Sequence, residues 1–248
     1  MTAFLASVRS AGEARLVLDA GADVLDVKEP DAGALGAVSD VTLREIVICA
    51  NGAVPVSATI GDLPMESEYL VAAIERTWQA GVDIVKVGVF TDAISESVLS
   101  TLTGCSSQGI RIVLVCFAEH WRGDLNYEFL QQAGIRGVML DTRDKYSGSL
   151  TSKLDRTQLQ DFARHAQRAR LIAGLAGSLE ENDIPVLCEI APDYLGFRGA
   201  LCGSAGRTAA IDPVAVRRIA HRIHTGGPRR TVLARRSDPM DSTILMPV

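Results

Sequence analysis

Lysine is scarce in this chain. Four of its 25 basic residues are lysine, at Lys28, Lys86, Lys145 and Lys153, and the other 21 are arginine. Basic excess is missing too. The net charge is −5, which argues against a nucleic-acid groove, since such grooves carry a basic footprint. No apolar run approaches the roughly 18 residues that cross a bilayer; stretches such as 112–118 are strand-sized. The start, Met1-Thr-Ala-Phe-Leu, lacks the basic and long apolar regions of a secretory signal. The five cysteines (Cys49, Cys105, Cys116, Cys188 and Cys202) form no C-x-x-C pair. That speaks for reduced thiols in a cytoplasmic protein rather than a disulfide frame or a zinc site. The histidines show no H-E-x-x-H pattern, and His165, His221 and His224 read as solvated helix residues. No motif requires a metal or an organic cofactor.

What is present is an ordinary globular composition, 47% apolar and 22% charged over 248 residues. Short apolar runs recur about every 25 to 30 residues, each followed by a helical pattern. The spacing predicts strands at 4–8, 23–28, 55–60, 84–89, 111–117, 137–142, 170–177 and 194–199. Most are apolar at nearly every position, as strands covered on both faces should be. "AGADVLDVK" and "AGVDIVKVG" are near-copies of one pattern, in which a glycine stops a helix just before a strand. Eight such units in this length indicate an α/β fold, a closed (β/α)8 TIM barrel over residues 1–224. An open doubly wound sheet would leave units over, and no G-x-G-x-x-G follows the first strand. Residues 225–248 carry four arginines against two aspartates. They read as an extension without a clear period, and with the apolar barrel surface they make a homo-oligomer the expected state.

Side chains alternate along a strand, so Asp26 and Lys28 share the inward face of the second strand. The same rule turns Lys86 inward on the fourth strand and Asp141 inward on the sixth, with Lys145 in the loop beyond. Strands two, four and six are alternate strands and supply one layer of a barrel interior. Two carboxylates and three of the four lysines then meet at the C-terminal mouth, where barrel active sites lie. Structural salt bridges could also place charge inside, but at a desolvation cost that apolar packing avoids. Crowded, partly buried lysines lose their protons more easily. One of them can then attack a carbonyl to give a Schiff base, with the carboxylates and a second lysine as proton carriers. Lys153, in a polar stretch, reads as ordinary surface.

The loops after strands seven and eight complete the expected site. Ser178 reads as the N-cap of a helix starting near residue 179, and exposed N–H groups there would bind an anion. Gly177, Ser178, Arg198, Gly199 and Ala200, with Arg207 just downstream, form the expected phosphate grip.

The stretches "GADVLDVKEPDAGALGA", "VSATIGDLP", "GVDIVKVG", "GVMLDTRDK" and "AGS…GFRGALC" resemble the (5-formylfuran-3-yl)methyl phosphate synthase family of methanofuran biosynthesis. The resemblance runs from about residue 3 to 224. It implies a barrel like that of class I aldolases and a lyase reaction. Two molecules of glyceraldehyde 3-phosphate condense, with loss of phosphate and water, to a phosphorylated furan aldehyde. It further implies that Lys28 is the Schiff-base lysine and Lys86 the proton acceptor, with Asp26, Asp141 and Lys145 at the remaining positions. The stretch 119–126 departs from the pattern by being short. Beside this stand two other readings: a different Schiff-base aldolase or phosphate-binding isomerase on the same barrel, and a barrel without turnover that serves as a binding module.

Overall fold

In a computed structural model, residues 2–91 and 93–225 are described, with Ser204 and Ala205 described by their backbone alone. Eight parallel strands close on themselves in sequence order: β1 (Ala3–Val8), β2 (Val24–Val27), β3 (Val56–Thr59), β4 (Ile84–Val89), β5 (Ile112–Phe117), β6 (Gly137–Asp141), β7 (Ile172–Leu175) and β8 (Tyr194–Phe197). Helices α1 (Ala11–Asp19), α2 (Asp40–Ala50), α3 (Ser67–Gln79), α4 (Glu96–Ser107) and α5 (Tyr127–Gln132) follow the first five strands. A short α6 (Leu150–Lys153) and then α7 (Arg156–Arg168) follow β6, α8 (Ile184–Ile190) follows β7, and α9 (Pro213–Thr225) closes the cycle. The expected barrel is the one found, and every strand end falls within two residues of its predicted place. Of the expected extension, residues 226–248 lie outside the described residues.

Local chemistry sets these boundaries. Ser10, Ser39 and Ser95 each accept the backbone N–H of the residue three further on and so start α1, α2 and α4. Asp155 and Gln158 form a reciprocal capping box at α7. At the helix stops, Gly21 (φ 95°) and Gly81 (φ 98°) adopt the left-handed conformation that the repeated pattern requires.

The aspartate of that repeat has a function that spacing alone does not reveal. Asp23 accepts the N–H of Phe4, Asp83 that of Val56 and Asp193 that of Ala173, at 2.8, 2.8 and 2.7 Å. Each binds an N–H at the start of a neighbouring strand, at the N-terminal rim. His224, read as a solvated helix residue, is tied to this rim instead: its Nε2 lies 2.7 Å from Asp23. The last helix is thereby joined to the first two strands.

The alternation of the strands divides the apolar residues into two cores. Phe4, Leu25, Val85, Leu114, Leu140 and Leu195 face the helices. Leu5, Ile84, Val113, Val115, Met139 and Tyr194 fill the barrel. The upper interior on the β4 side has a roof. Gly88 is the next inward residue above Lys86, and it leaves its space to Phe90 and Leu35. The Phe90 ring lies 4.8 Å from that of Phe117. Leu35 is held in place because Asp62 accepts the N–H groups of Ala34 and Leu35 at 2.9 and 2.8 Å.

A Cβ at residue 88 would lie 2.5 Å from Phe90 Cε2 and 2.8 Å from Leu35 Cδ1. Gly88→Ala should therefore cost about 1–3 kcal/mol by overpacking. In α4, a Cβ at residue 104 meets nothing within 4 Å, so Gly104→Ala should instead stabilise by roughly 0.5–1 kcal/mol. Thermal unfolding of the two variants checks the pair, which should move in opposite directions.

Candidate active site

Inward-facing positions of three strands bring the charged residues together. Asp26 lies on β2 and Lys28 just past its end on the same face, Lys86 lies on β4, and Asp141 is the last residue of β6. They occupy two tiers, not the single layer that alternate strands suggested, because Lys28 stands two residues nearer the mouth than Asp26. In the lower tier, Lys86 Nζ donates to Asp26 Oδ1 at 2.8 Å, and both side chains are 2% exposed. Ser57 Oγ donates to the same carboxylate oxygen at 2.9 Å and Ser7 Oγ to the other at 3.0 Å. In the upper tier, Lys145 Nζ donates to Asp141 Oδ1 at 2.5 Å, and the backbone N–H of Thr142 donates to that oxygen at 2.7 Å. Sequence reasoning missed Ser7 and Ser57. Their signal was a polar residue at an inward position of an otherwise apolar strand.

The charges of both tiers act on Lys28. Burial is the largest influence and disfavours its charged form. Asp141 and Asp26 oppose that, Lys145 and Lys86 add to it, and the amine is lowered from its ordinary 10.5 to about 8. Burial would raise Asp26, but Lys86 and then Lys28 outweigh it and hold the carboxyl below its ordinary range. Asp141 is held down against burial in the same way by Lys145 and Lys28. Among the described residues, the Lys28 amine has no ion pair or hydrogen bond of its own. The thiols are directed the other way. Burial raises Cys105, Cys188 and Cys202, and pushes Cys116 up to about 12.

Lys28, Asp141 and Lys145 open onto a cavity of about 390 Å³, walled on the far side by the loops after β7 and β8. Asp26 and Lys86 do not line it. A smaller, more apolar cavity of about 230 Å³ lies beside α4 and α5, and none of the lysines lines it.

The expected phosphate residues divide into two groups. Gly177, Ser178, Gly199, Ala200 and Arg207 all line the large cavity. Gly177 (φ 110°) packs so close to β6 that a Cβ would lie 2.7 Å from Thr142 N, and Ser178 follows in the left-handed conformation (φ 47°). Ser178 is not a helix cap, however. Its Oγ donates to the carbonyl of Lys145 at 3.0 Å, and α8 begins only at Ile184. The next turn is capped by Glu180 and Asp183 instead. Arg207 reaches the carbonyls of Pro30 and Gly33 at 2.8 and 3.3 Å and keeps further N–H groups for a ligand. Arg198 also borders the cavity, but its guanidinium is fully engaged elsewhere. It donates to both Glu13 oxygens and to the carbonyls of Ser7, Arg207 and Ala209. All five N–H groups are taken, so Arg198 ties the β8 loop to β1 and α1 and has nothing left for a phosphate.

Lys153 is not simple surface either. Its Nζ donates to Ser147 Oγ at 2.7 Å and lies 3.5 Å from Glu119, which itself accepts the N–H groups of Arg143 and Asp144. It steadies the loop that carries Lys145.

A parallel barrel with amines and carboxylates gathered at its C-terminal mouth has the build of an α/β-barrel enzyme. The chain belongs to the 4-HFC-P synthase family, whose model matches residues 4–220. A Methylorubrum extorquens protein, provisionally named a (5-formylfuran-3-yl)methyl phosphate synthase, is 38% identical over 224 residues, 90% of this chain and 92% of its own. The (5-formylfuran-3-yl)methyl phosphate synthase of Methanosarcina acetivorans is 33% identical over 200 residues, 76% of this chain and 86% of its own. Among solved structures, a phosphoribosyl anthranilate isomerase from Thermus thermophilus superposes with a TM-score of 0.63 at 13% identity, covering 91% of this chain and 99% of its own. That likeness concerns the fold. Among the described residues, no helix is long and apolar enough to cross a membrane, and no group of three or more His, Cys, Asp and Glu could hold a metal.

Two outcomes follow from these contacts. Because the Lys28 amine is lowered from 10.5 to about 8, the folded protein pays to protonate it. Relative to Lys28→Met, the native protein should lose stability as pH falls from 10.5 to about 8, with a constant gap below that. Replacing the buried amine should stabilise by on the order of 1–4 kcal/mol near neutral pH, read by denaturant unfolding across pH. Arg198→Met should cost about 1–3 kcal/mol, because Glu13 and three carbonyls lose their donor while Glu13 keeps Arg9, whereas Arg207→Met should weaken inorganic phosphate binding at little cost in stability. Calorimetry on both variants checks the division.

Proposed function

We propose that the protein is a lyase that condenses two molecules of glyceraldehyde 3-phosphate to (5-formylfuran-3-yl)methyl phosphate, with release of phosphate and water, in methanofuran biosynthesis. One observation carries this reading. The Lys28 amine sits at the wall of the large cavity, held at about 8 and without a partner, between two pairs that are already satisfied. Such an amine is substantially neutral near pH 8 and free to attack a carbonyl. The names of the relatives, and the small-residue loops with Arg207 that wall the cavity opposite, support the choice of substrate.

In this reading, the first triose phosphate lies with its phosphate against Gly177, Ser178, Gly199, Ala200 and Arg207. Its aldehyde carbon bonds to Lys28 Nζ and loses water to give an iminium. The iminium draws electrons and acidifies the adjacent C–H. Removal of that proton gives an enamine, whose electrons expel phosphate and leave an unsaturated iminium. The second triose phosphate then adds through its C2 carbon, dehydration and ring closure follow, and water hydrolyses the Schiff base to release the furan aldehyde and restore the Lys28 amine. Lys86 is the proton acceptor that the family resemblance implies. In the resting protein its Nζ donates to Asp26 Oδ1 at 2.8 Å, so Asp26 is the group placed beside it. One observation favours a second assignment for this step: Asp141 lines the cavity and Lys86 does not.

Borohydride added with glyceraldehyde 3-phosphate should leave a reduced adduct on the Lys28 peptide. Trapping should rise with pH around a midpoint near 8; an unaltered peptide mass sinks the mechanism. Lys28→Arg should lower turnover by about 10³-fold or more, since guanidinium stays protonated. A furan chromophore from glyceraldehyde 3-phosphate alone separates this route from other aldolases and isomerases. If Asp141 takes the proton, Asp141→Asn should lower turnover by about 10²–10⁴-fold; unchanged turnover returns the step to Lys86.

A further inference from the structure

Lys86 is an ammonium ion with three N–H bonds in an interior that excludes water. Among the described residues, Asp26 is the one hydrogen-bond partner of its amine. The other group against it is an aromatic ring. Nζ lies 5.6 Å from the centroid of Tyr194, within the range over which a ring face attracts a cation.

Nothing about Tyr194 suggests that its hydroxyl fixes its position. The residue is 1% exposed, and its hydroxyl has no hydrogen-bond partner among the described residues. Leaving a buried hydroxyl unpaired costs free energy. What holds the phenol is shape. Gly174 is its in-register neighbour on β7, and it leaves open the space the ring occupies. A Cβ there would lie 2.2 Å from ring carbon Cζ, 2.4 Å from Cε2 and 2.5 Å from the hydroxyl oxygen. Any side chain at residue 174 would displace the ring. Leu5, Met139 and Ala176 belong to the same interior core as Tyr194. The ring is seated by packing, with its face available to Lys86.

We propose that Tyr194 is a positioning residue for Lys86: its ring, seated over Gly174, is the second partner that holds the ammonium group against Asp26. The consequence for catalysis depends on Lys86 handling protons in the reaction; the placement itself does not. The phenol is then selected for its ring and not for its hydroxyl.

The lysine count makes the test direct. In protein labelled with ¹³C-lysine, four side-chain signals are expected, and Lys86→Arg identifies the one that belongs to Lys86. The Tyr194 ring current should displace that signal. Tyr194→Phe should keep the displacement, keep kcat within about twofold, and unfold at no lower temperature than the native protein. Tyr194→Leu should abolish the displacement and lower kcat about tenfold or more, with KM nearly unchanged. The proposal is overturned if Tyr194→Phe behaves like Tyr194→Leu, or if Tyr194→Leu leaves the Lys86 signal in place. Should Tyr194→Leu fail to fold, fluorinated phenylalanines at residue 194 weaken the ring face at nearly constant size. A graded fall in kcat with fluorination is then expected, and a flat response overturns the proposal. A Lys86 signal that follows the ring while kcat does not would remove Lys86 from the chemistry and leave its placement by Tyr194 standing.

Discussion

Three amines and two carboxylates gather at the mouth and upper interior of one barrel, and that imbalance governs the site. Taking an ion out of water costs several kcal/mol unless a counter-charge and hydrogen bonds replace the water. Lys86 is matched by Asp26, and Lys145 by Asp141. The surrounding polar groups serve these pairs: Ser7 and Ser57 donate to one carboxylate, and the Thr142 N–H to the other. Lys28 is the amine left over. With no carboxylate of its own, it meets the cost of burial by giving up its proton more readily, and the proposed role of nucleophile rests on that circumstance.

Burial is also distributed unevenly around the barrel. On the β4 side, Leu35 and Phe90 fill the space left by Gly88, with Phe117 against Phe90, and Lys86 and Asp26 are 2% exposed. On the β6–β8 side the mouth is open, and the cavity there carries the small-residue loops. The roof depends on a missing side chain at Gly88, and the open side on the close approach that Gly177 permits. A closed tier around Lys86 and Asp26 and an open tier around Lys28, Asp141 and Lys145 thus arise within one ring of strands. Arg198 fits this division. By binding Glu13 and three carbonyls it fixes the shape of the loop, and Arg207 is the arginine that lines the cavity with donors to spare.

The barrel was legible in the sequence because its signal is repeated eight times: apolar strands, helical spacing, and glycine stops such as Gly21 and Gly81. The placement of Asp26, Lys28, Lys86 and Asp141 was legible because alternation along a strand is strict. Tier height was not, because the stagger between strands is not written in any one strand. Ser178 and Arg198 show a second limit. A serine after a glycine looks like a helix cap, yet α8 starts six residues later. An arginine in a loop looks like an anion contact until Glu13, 185 residues away in the chain, is seen to bind it. His224 and Lys153 read as solvent-facing in the sequence for the same reason, since Asp23 and Glu119 meet them through the fold. Tyr194 carried no sequence signal, because its significance lies in the absent side chain at Gly174.

The distribution of lysine has one more consequence. Lys28 and Lys86 are buried, Lys145 is engaged with Asp141, and Lys153 is engaged with Ser147 and Glu119. The protein's outer face therefore presents guanidinium groups where most proteins present amines. Aldehydes condense with free amines and not with guanidinium, which stays protonated. A solution rich in reactive trioses would meet little lysine on this molecule, since Lys153, with 17% of its side chain exposed, is itself held by Ser147 and Glu119. Lys28, whose amine is lowered to about 8, lies at the wall of a cavity lined by the loops after β7 and β8.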